Sequence, residues 1–143
     1  MKKRTASAVW QGDLKSGKGT VSTGSGTLKE TAYSFGTRFE DSSGGTNPEE
    51  LIAAAHAGCF AMAFSAFLGR AGFTSQRVDT KANLTFEQVN NNWTITTIDL
   101  NLDAKVPGID QAKFNEIAND AKTNCPVSRA LNAKINLNAK LQS

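Results

Sequence analysis

The chain has one histidine and two cysteines in 143 residues, and no Cys-x-x-Cys pair. That shortage excludes a structural zinc set unless carboxylates are drawn in, and no metal is expected. It also argues against a disulfide scaffold. Two cysteines without an export signal point to a reducing compartment, the cytoplasm, and to reactive thiols. No leader is legible, because Met1-Lys2-Lys3-Arg4 runs into polar alternation instead of an apolar stretch. Charge of one sign is scarce too. Sixteen Lys and Arg against thirteen Asp and Glu give a net charge of +3, and no basic run exceeds Lys2-Lys3-Arg4. A nucleic-acid partner is not expected, since such binders gather positive charge on one face. The one long apolar run is residues 51–68, 18 residues that reach the lower limit of a membrane span. His56, Gly58, Ser65 and its many alanines better fit a helix buried at the centre of a globular domain. No membrane partner is expected.

What is present suffices for one domain over residues 1–143, with 39% hydrophobic and 20% charged residues and no internal repeat, linker or low-complexity segment. Residues 4–10 alternate as a strand, glycines punctuate at Gly17, Gly19, Gly24 and Gly26, and Tyr33, Phe35, Thr37 and Phe39 fall on one face of a further strand. After the loop Ser42-Ser43-Gly44-Gly45, a helix begins. Asn47 can cap it, Pro48 takes the first position, and Glu50 completes a capping-box-like pattern. It runs to about residue 69. Strands are expected at 78–88 and 94–105, turning through Asn90-Asn91-Asn92, with Ile98, Leu100, Leu102 and Ala104 on one face of the second. Asp110 or a neighbour opens a helix that ends near Lys122, in which Phe114, Ile117, Ala118 and Ala121 fit a 3.6-residue period. A short turn or helix from Cys125-Pro126 to Leu131 precedes a last strand, in which Ile135, Leu137, Ala139 and Leu141 alternate. The class is α+β with mostly antiparallel sheet, because the strands come in hairpin-like runs rather than βαβ units.

Two glycine motifs fail on inspection. Gly12 to Lys18 has the GxxxxGK spacing of a phosphate loop, but Gly19 stands where Ser or Thr would reach magnesium, and a strand follows. Gly24-Ser25-Gly26 lacks the third glycine and the strand-to-helix setting of a dinucleotide fingerprint. No Ser-His-Asp arrangement stands out around His56.

The chemistry-bearing candidate is Cys59, in Ala57-Gly58-Cys59-Phe60 on the apolar helix. A lone cysteine there can be a small core hydrophobe. On the helical wheel it shares a face with Ile52, His56, Met62 and Ala66, apart from a stripe of Phe60, Phe64 and Phe67. To act as a nucleophile it must ionise. At a reference pKa near 8.5, about 3% is thiolate at pH 7, and a fall to roughly 6 gives about 90%, a shift of about 3.4 kcal/mol. The dipole of its own helix fades within the first turn and cannot supply this. His56 in an apolar wall tends to be neutral, whereas an arginine keeps its charge.

Thr46-Asn47-Pro48-Glu49-Glu50-Leu51, Cys59 in its setting and Asn124-Cys125-Pro126-Val127-Ser128 together resemble the OsmC/Ohr family of thiol peroxidases. The order of elements along all 143 residues is similar as well. Each tripeptide is weak alone. The TNPE pattern, a cysteine ten residues after its glutamate and a second cysteine in CPVS are jointly specific. Arg38, in Gly36-Thr37-Arg38-Phe39 on the strand before the helix, resembles the arginine of the OsmC branch; the Ohr branch carries its arginine earlier. The resemblance implies an OsmC-like fold, a mostly antiparallel sheet wrapped around a long central buried helix, and an intertwined homodimer. It implies cysteine-based reduction of organic hydroperoxides, and of hydrogen peroxide less well. Cys59 would be the peroxidatic thiolate and Cys125 the resolving thiol, with Arg38 and Glu49 organising the site. A Cys59 sulfenic acid would condense with Cys125 to a disulfide, which an external dithiol, small or protein-bound, would reopen. No metal, haem or flavin cofactor is implied. The family's apolar pocket suits an alkyl tail. His56 has no role in this scheme.

Plainer accounts stand beside these roles. Glu49 is also a first-turn acid favoured by the helix dipole, Arg38 a solvated strand residue, and Cys125 a structural thiol before a proline turn. Glu49 and Cys59 lie about 15 Å apart along one helix. They cannot share a site within one subunit unless the helix breaks, and the simplest solution is an antiparallel pair of central helices from two subunits, with Arg38 and Glu49 contributed across the interface. Two other functions remain: a non-catalytic module holding a lipid-like ligand in an apolar cleft, and a redox sensor that passes its disulfide to a partner.

Overall fold

Alternating residues and glycine turns fold the N-terminal third into a three-stranded antiparallel sheet, β1 (Ala6–Gln11), β2 (Lys18–Thr23) and β3 (Thr31–Tyr33), paired in that order. The computed structural model describes residues 1–143 as two compact units, Met1–Leu51 and Ile52–Ser143. The GxxxxGK segment is the β1–β2 hairpin: Asp13 Oδ1 accepts from the Ser16 amide and hydroxyl, both at 2.7 Å. Gly19 stands opposite both Trp10 and Tyr33, whose rings lie 5.4 Å apart, and a Cβ there would collide with both rings.

The strand expected through Phe39 stops at Tyr33, and a short helix α1 (Phe35–Phe39) replaces it. Ser34 caps this helix. Its Oγ accepts from the Thr37 amide at 3.2 Å, while Thr37 Oγ1 accepts from the Ser34 amide at 2.9 Å, the reciprocal pattern of a capping box. The period-two aromatics are an i, i+4 pair, with the Phe35 and Phe39 rings 4.9 Å apart. Arg38 therefore sits in the last turn of a helix, not on a strand.

Helix α2 (Pro48–Arg70) starts as its sequence predicts, with Asn47 Oδ1 accepting from the Glu50 amide at 2.7 Å. The other half of the expected box goes elsewhere: the Glu50 carboxylate accepts from the Thr46 hydroxyl at 3.4 Å.

In the unit Ile52–Ser143 a second sheet runs β4 (Arg77–Val89), β5 (Asn92–Lys105), β6 (Lys134–Leu141). Strands β4 and β5 form an antiparallel hairpin, turning through Asn90 and Asn91 at φ of 50° and 64°, a region asparagine tolerates. Strand β6 pairs parallel to β5, the one departure from the antiparallel expectation. Parallel pairing needs a crossover, which α3 (Gln111–Asn124) and α4 (Pro126–Ala130) supply. Asp110 caps α3 by accepting from the Lys113 amide at 2.7 Å. The core joins Ile98, Leu100, Leu102 and Ala104 of β5 to Phe114, Ile117, Ala118 and Ala121 of α3 and to Phe60, Phe64 and Leu68 of α2. Phe64 meets Phe114 edge-on at 5.6 Å, a favoured aromatic geometry.

Helix α2 is long and apolar enough to cross a membrane by length and composition, yet it carries the core stripe of this unit. The stripe is His56, Phe60, Phe64 and Leu68, spaced every fourth residue. This corrects the helical-wheel assignment, in which His56 shared a face with Met62. Met62 is 78% exposed and belongs to an open face with Ala54, Ala55, Gly58, Ser65, Ala66 and Gly69.

Leu100→Ala, at a fully buried position, is expected to lower the unfolding free energy by about 2–5 kcal/mol. Asp110→Ala is expected to lower it by about 1 kcal/mol. Urea denaturation midpoints at constant slope check both, and equal losses would contradict this division between core and cap.

Candidate active site

The TNPE segment works as a connected polar web within Met1–Leu51. The Thr46 amide donates to the Ala32 carbonyl at 2.9 Å, and the Thr46 carbonyl accepts from Thr37 Oγ1 at 2.8 Å. Asn47 Nδ2 donates to the Thr37 carbonyl at 3.0 Å while its Oδ1 caps α2. These bonds tie α1 to the first turn of α2. They also set Glu49 beside Arg38: Nη2 donates to Oε1 at 2.7 Å, and Nε lies 3.2 Å from both carboxylate oxygens. The pair is partly buried, with side chains 35% and 10% exposed for Arg38 and Glu49. Two of the predicted site residues are thus brought together.

Around Arg38 the chain folds an apolar cleft. Trp10, Leu14, Tyr33, Phe35 and Phe39 join the arginine in lining a cavity of about 230 Å³. The guanidinium lies 5.1 Å from the Phe39 ring centroid, within cation–π range.

The other two predicted residues meet in the unit Ile52–Ser143. Cys59 is half-buried on α2, and Cys125 is fully buried at the start of α4. Both are free thiols, with the Cys125 S–H donating to Cys59 Sγ at 2.8 Å. Burial pushes the Cys59 thiol above its ordinary value, and the adjacent Cys125 sulfur adds to the rise. The Val127 amide opposes it by donating to Cys59 Sγ. That amide is open because Pro126 occupies the first position of α4, where the first N–H groups have no partner within the helix. Cys125-Pro126 was the available signal for it.

Sequence reasoning also left out a second contact between α2 and α4. His56 is fully buried, and its Nε2 lies 2.7 Å from Ser128 Oγ. Burial pushes the His56 pKa below its ordinary value, so the ring is neutral near pH 7. No group of three or more His, Cys, Asp or Glu side chains comes together that could hold a metal ion.

The chain is similar in sequence and fold to known proteins. The family described as OsmC-like protein matches residues 40–140. Peroxiredoxin OsmC of Escherichia coli (strain K12) is 52% identical over 136 residues, covering 95% of this chain and 94% of that protein. Peroxiredoxin OsmC of Shigella flexneri matches to the same extent. Among solved structures, an OsmC-like protein from Vibrio cholerae O1 biovar eltor has a TM-score of 0.78 at 13% identity, covering 97% of this chain and 99% of that one. The organic hydroperoxide resistance protein OhrB of Bacillus subtilis has a TM-score of 0.69 at 21% identity, covering 96% and 98%. At such identities the structures establish likeness of fold.

Two sulfurs in contact should couple readily. Mild oxidation of the reduced protein with diamide is expected to join Cys59 to Cys125 within one chain, read by mass mapping of the linked peptide and by the monomer band on a non-reducing gel. A predominance of chain-to-chain disulfides would contradict the geometry.

Proposed function

This chain belongs to the OsmC-like protein family, and on that premise we propose that it is a thiol peroxidase with Cys59 as nucleophile and Cys125 as resolving thiol. It is an enzyme of the peroxiredoxin kind. The observation that carries the reading is the contact of two free thiols at 2.8 Å. Cys59 thiolate attacks the terminal oxygen of a hydroperoxide. The O–O bond breaks, the alkoxide takes a proton and leaves as alcohol, and Cys59 holds a sulfenic acid. Cys125 then forms the disulfide and water departs. An external dithiol supplies two electrons by thiol–disulfide exchange and restores both thiols. The cycle calls on no metal or other cofactor.

Activation needs a cation, because burial raises Cys59. Moving a thiol from its ordinary value near 8.5 to roughly 6 takes about 3.4 kcal/mol, burial of Cys59 adds to that need, and hydrogen bonds to charged groups contribute about 1.5–3 kcal/mol each. The Val127 amide leaves the thiol raised, so the stabilisation has to come from a charged donor such as a guanidinium. Arg38 is the candidate, with Glu49 taking its Nε and Nη2 and so fixing its orientation. We assign it to Cys59 of the partner subunit in a homodimer. Support comes from the open face of α2, where small side chains and Met62 leave room for a second helix and a Cβ at Gly58 or Gly69 would meet nothing within 4 Å. Small residues at a contact permit the shorter interaxial distances, near 8 Å.

The aromatic cleft beside Arg38 suits the apolar tail of an organic hydroperoxide. Hydrogen peroxide has no tail to place there and is reduced less well.

Consumption of cumene hydroperoxide and hydrogen peroxide with a dithiol reductant tests the proposal. Cys59→Ser is expected to lose turnover, and Cys125→Ser to complete one sulfenic-acid turnover without dithiol recycling. Arg38→Ala should raise the Cys59 midpoint by a unit or more, about a tenfold loss of thiolate near neutral pH. An inactive wild type, or an active Cys59→Ser, sinks the enzyme; an unchanged thiolate titration removes Arg38 from its role.

A further inference from the structure

Buried residues recur every fourth position along α2, and His56 is the polar member of a stripe that continues with Phe60, Phe64 and Leu68. One ring nitrogen, Nε2, meets Ser128 Oγ at 2.7 Å, while Nδ1 has no hydrogen-bond partner. An apolar side chain there would leave no buried nitrogen unpaired. Packing alone does not account for the imidazole, and neither His56 nor Ser128 takes a part in the peroxidase cycle above.

The register of the two helices suggests what it does. His56 precedes Cys59 by three residues on α2, and Ser128 follows Cys125 by three at the start of α4. Residues three apart share a helix face, separated by about 4.5 Å along the axis. The helices therefore meet in two rungs of opposite chain direction, His56 to Ser128 at 2.7 Å and Cys125 to Cys59 at 2.8 Å. A slide of α4 along α2 would open both. Helix α4 has only five residues, too few to be stable without outside contacts. Its apolar anchors, Val127 and Leu131, are only partly buried.

We propose that the His56–Ser128 hydrogen bond is a register pin that holds the Cys125 sulfur against Cys59, making the two a positioning pair for the disulfide-forming step. This rests on Cys59 and Cys125 having the roles given above. In that step the Cys125 sulfur attacks the sulfur of the Cys59 sulfenic acid. The S–S bond forms, the S–O bond breaks, and the proton of Cys125 leaves with the hydroxide as water. An ordered approach shortens the life of the sulfenic acid. A loosened α4 lengthens it and lets a second hydroperoxide carry Cys59 on to the sulfinic acid.

Ser128→Ala tests the pin with two measurements. In glutathione redox buffers, which involve no peroxide, the effective concentration of Cys125 toward Cys59 is expected to fall about tenfold, because lost preorganisation appears directly as lost effective concentration. After one equivalent of cumene hydroperoxide, dimedone-trappable sulfenic acid should persist about tenfold longer, and the sulfinic fraction at excess peroxide should rise. Ser128→Thr, which keeps the hydroxyl, should restore both values, while melting temperature reports the fold of each variant. A folded Ser128→Ala with wild-type effective concentration and sulfenate lifetime would overturn the pin. A wild type that forms the disulfide in glutathione buffer yet makes no sulfenate with hydroperoxide would instead overturn the peroxidase function, with the pin still measured by the first assay.

Discussion

The thiol proposed to ionise, Cys59, sits where burial opposes ionisation, and the proposed roles of Arg38, Glu49 and Cys125 answer to that constraint. Cys59 lies on an apolar helix, its own surroundings push its pKa up, and the Val127 amide is what the chain sets against them locally. One neutral N–H does not offset desolvation. In the proposed cycle such a thiol needs a fixed positive charge, and the delivery of that charge is the step on which the proposal turns.

The fold meets the constraint with two rigid polar assemblies on an otherwise apolar frame. One is the web through Ala32, Thr37, Thr46 and Asn47, which leaves Arg38 and Glu49 in a three-bond ion pair beside an aromatic cleft. The other is the pair of rungs joining α2 to α4, which places a second thiol on the first. Capping side chains fix the starts of α1 and α2, and the Phe60, Phe64 and Phe114 cluster anchors α2. Groups held on packed helices keep their geometry better than groups on loops. The open face of α2, with Met62 and its small neighbours, is the surface through which a second copy would complete the site.

Much of this was legible in the residues, and the failures have physical causes. Asn47, Pro48 and Asp110 announced their helices because capping chemistry is local. The alternation of β5 announced its buried face. The aromatics before Phe39 misled because period two over so few residues also fits an i, i+4 pair, and the Ser34 to Thr37 cap decided in favour of helix. Parallel pairing of β5 with β6 is a nonlocal outcome that hairpin-like patterning does not reveal. The four candidate site residues came from resemblance to a known family, and the structure sets Arg38 beside Glu49 and Cys125 beside Cys59, while the Val127 amide and the His56–Ser128 contact depend on how α4 docks. His56 was visible as an oddity, but no spacing rule connects it to Ser128 across 72 residues.

The central claim, that Arg38 of one subunit activates Cys59 of the partner subunit, is tested most directly by complementation. Arg38→Ala protein, about tenfold reduced in thiolate, and inactive Cys59→Ser protein are mixed under conditions that exchange subunits, and hydroperoxide turnover above the Arg38→Ala background is measured. The mixed dimer holds one site with both residues intact if the arginine acts across the interface. Random assortment then restores about a quarter of wild-type activity per subunit, because half of the dimers are mixed and each has one working site of two. Mixing that restores nothing, with mixed dimers shown to form, would mean that Arg38 does not act across the interface, and would contradict the account.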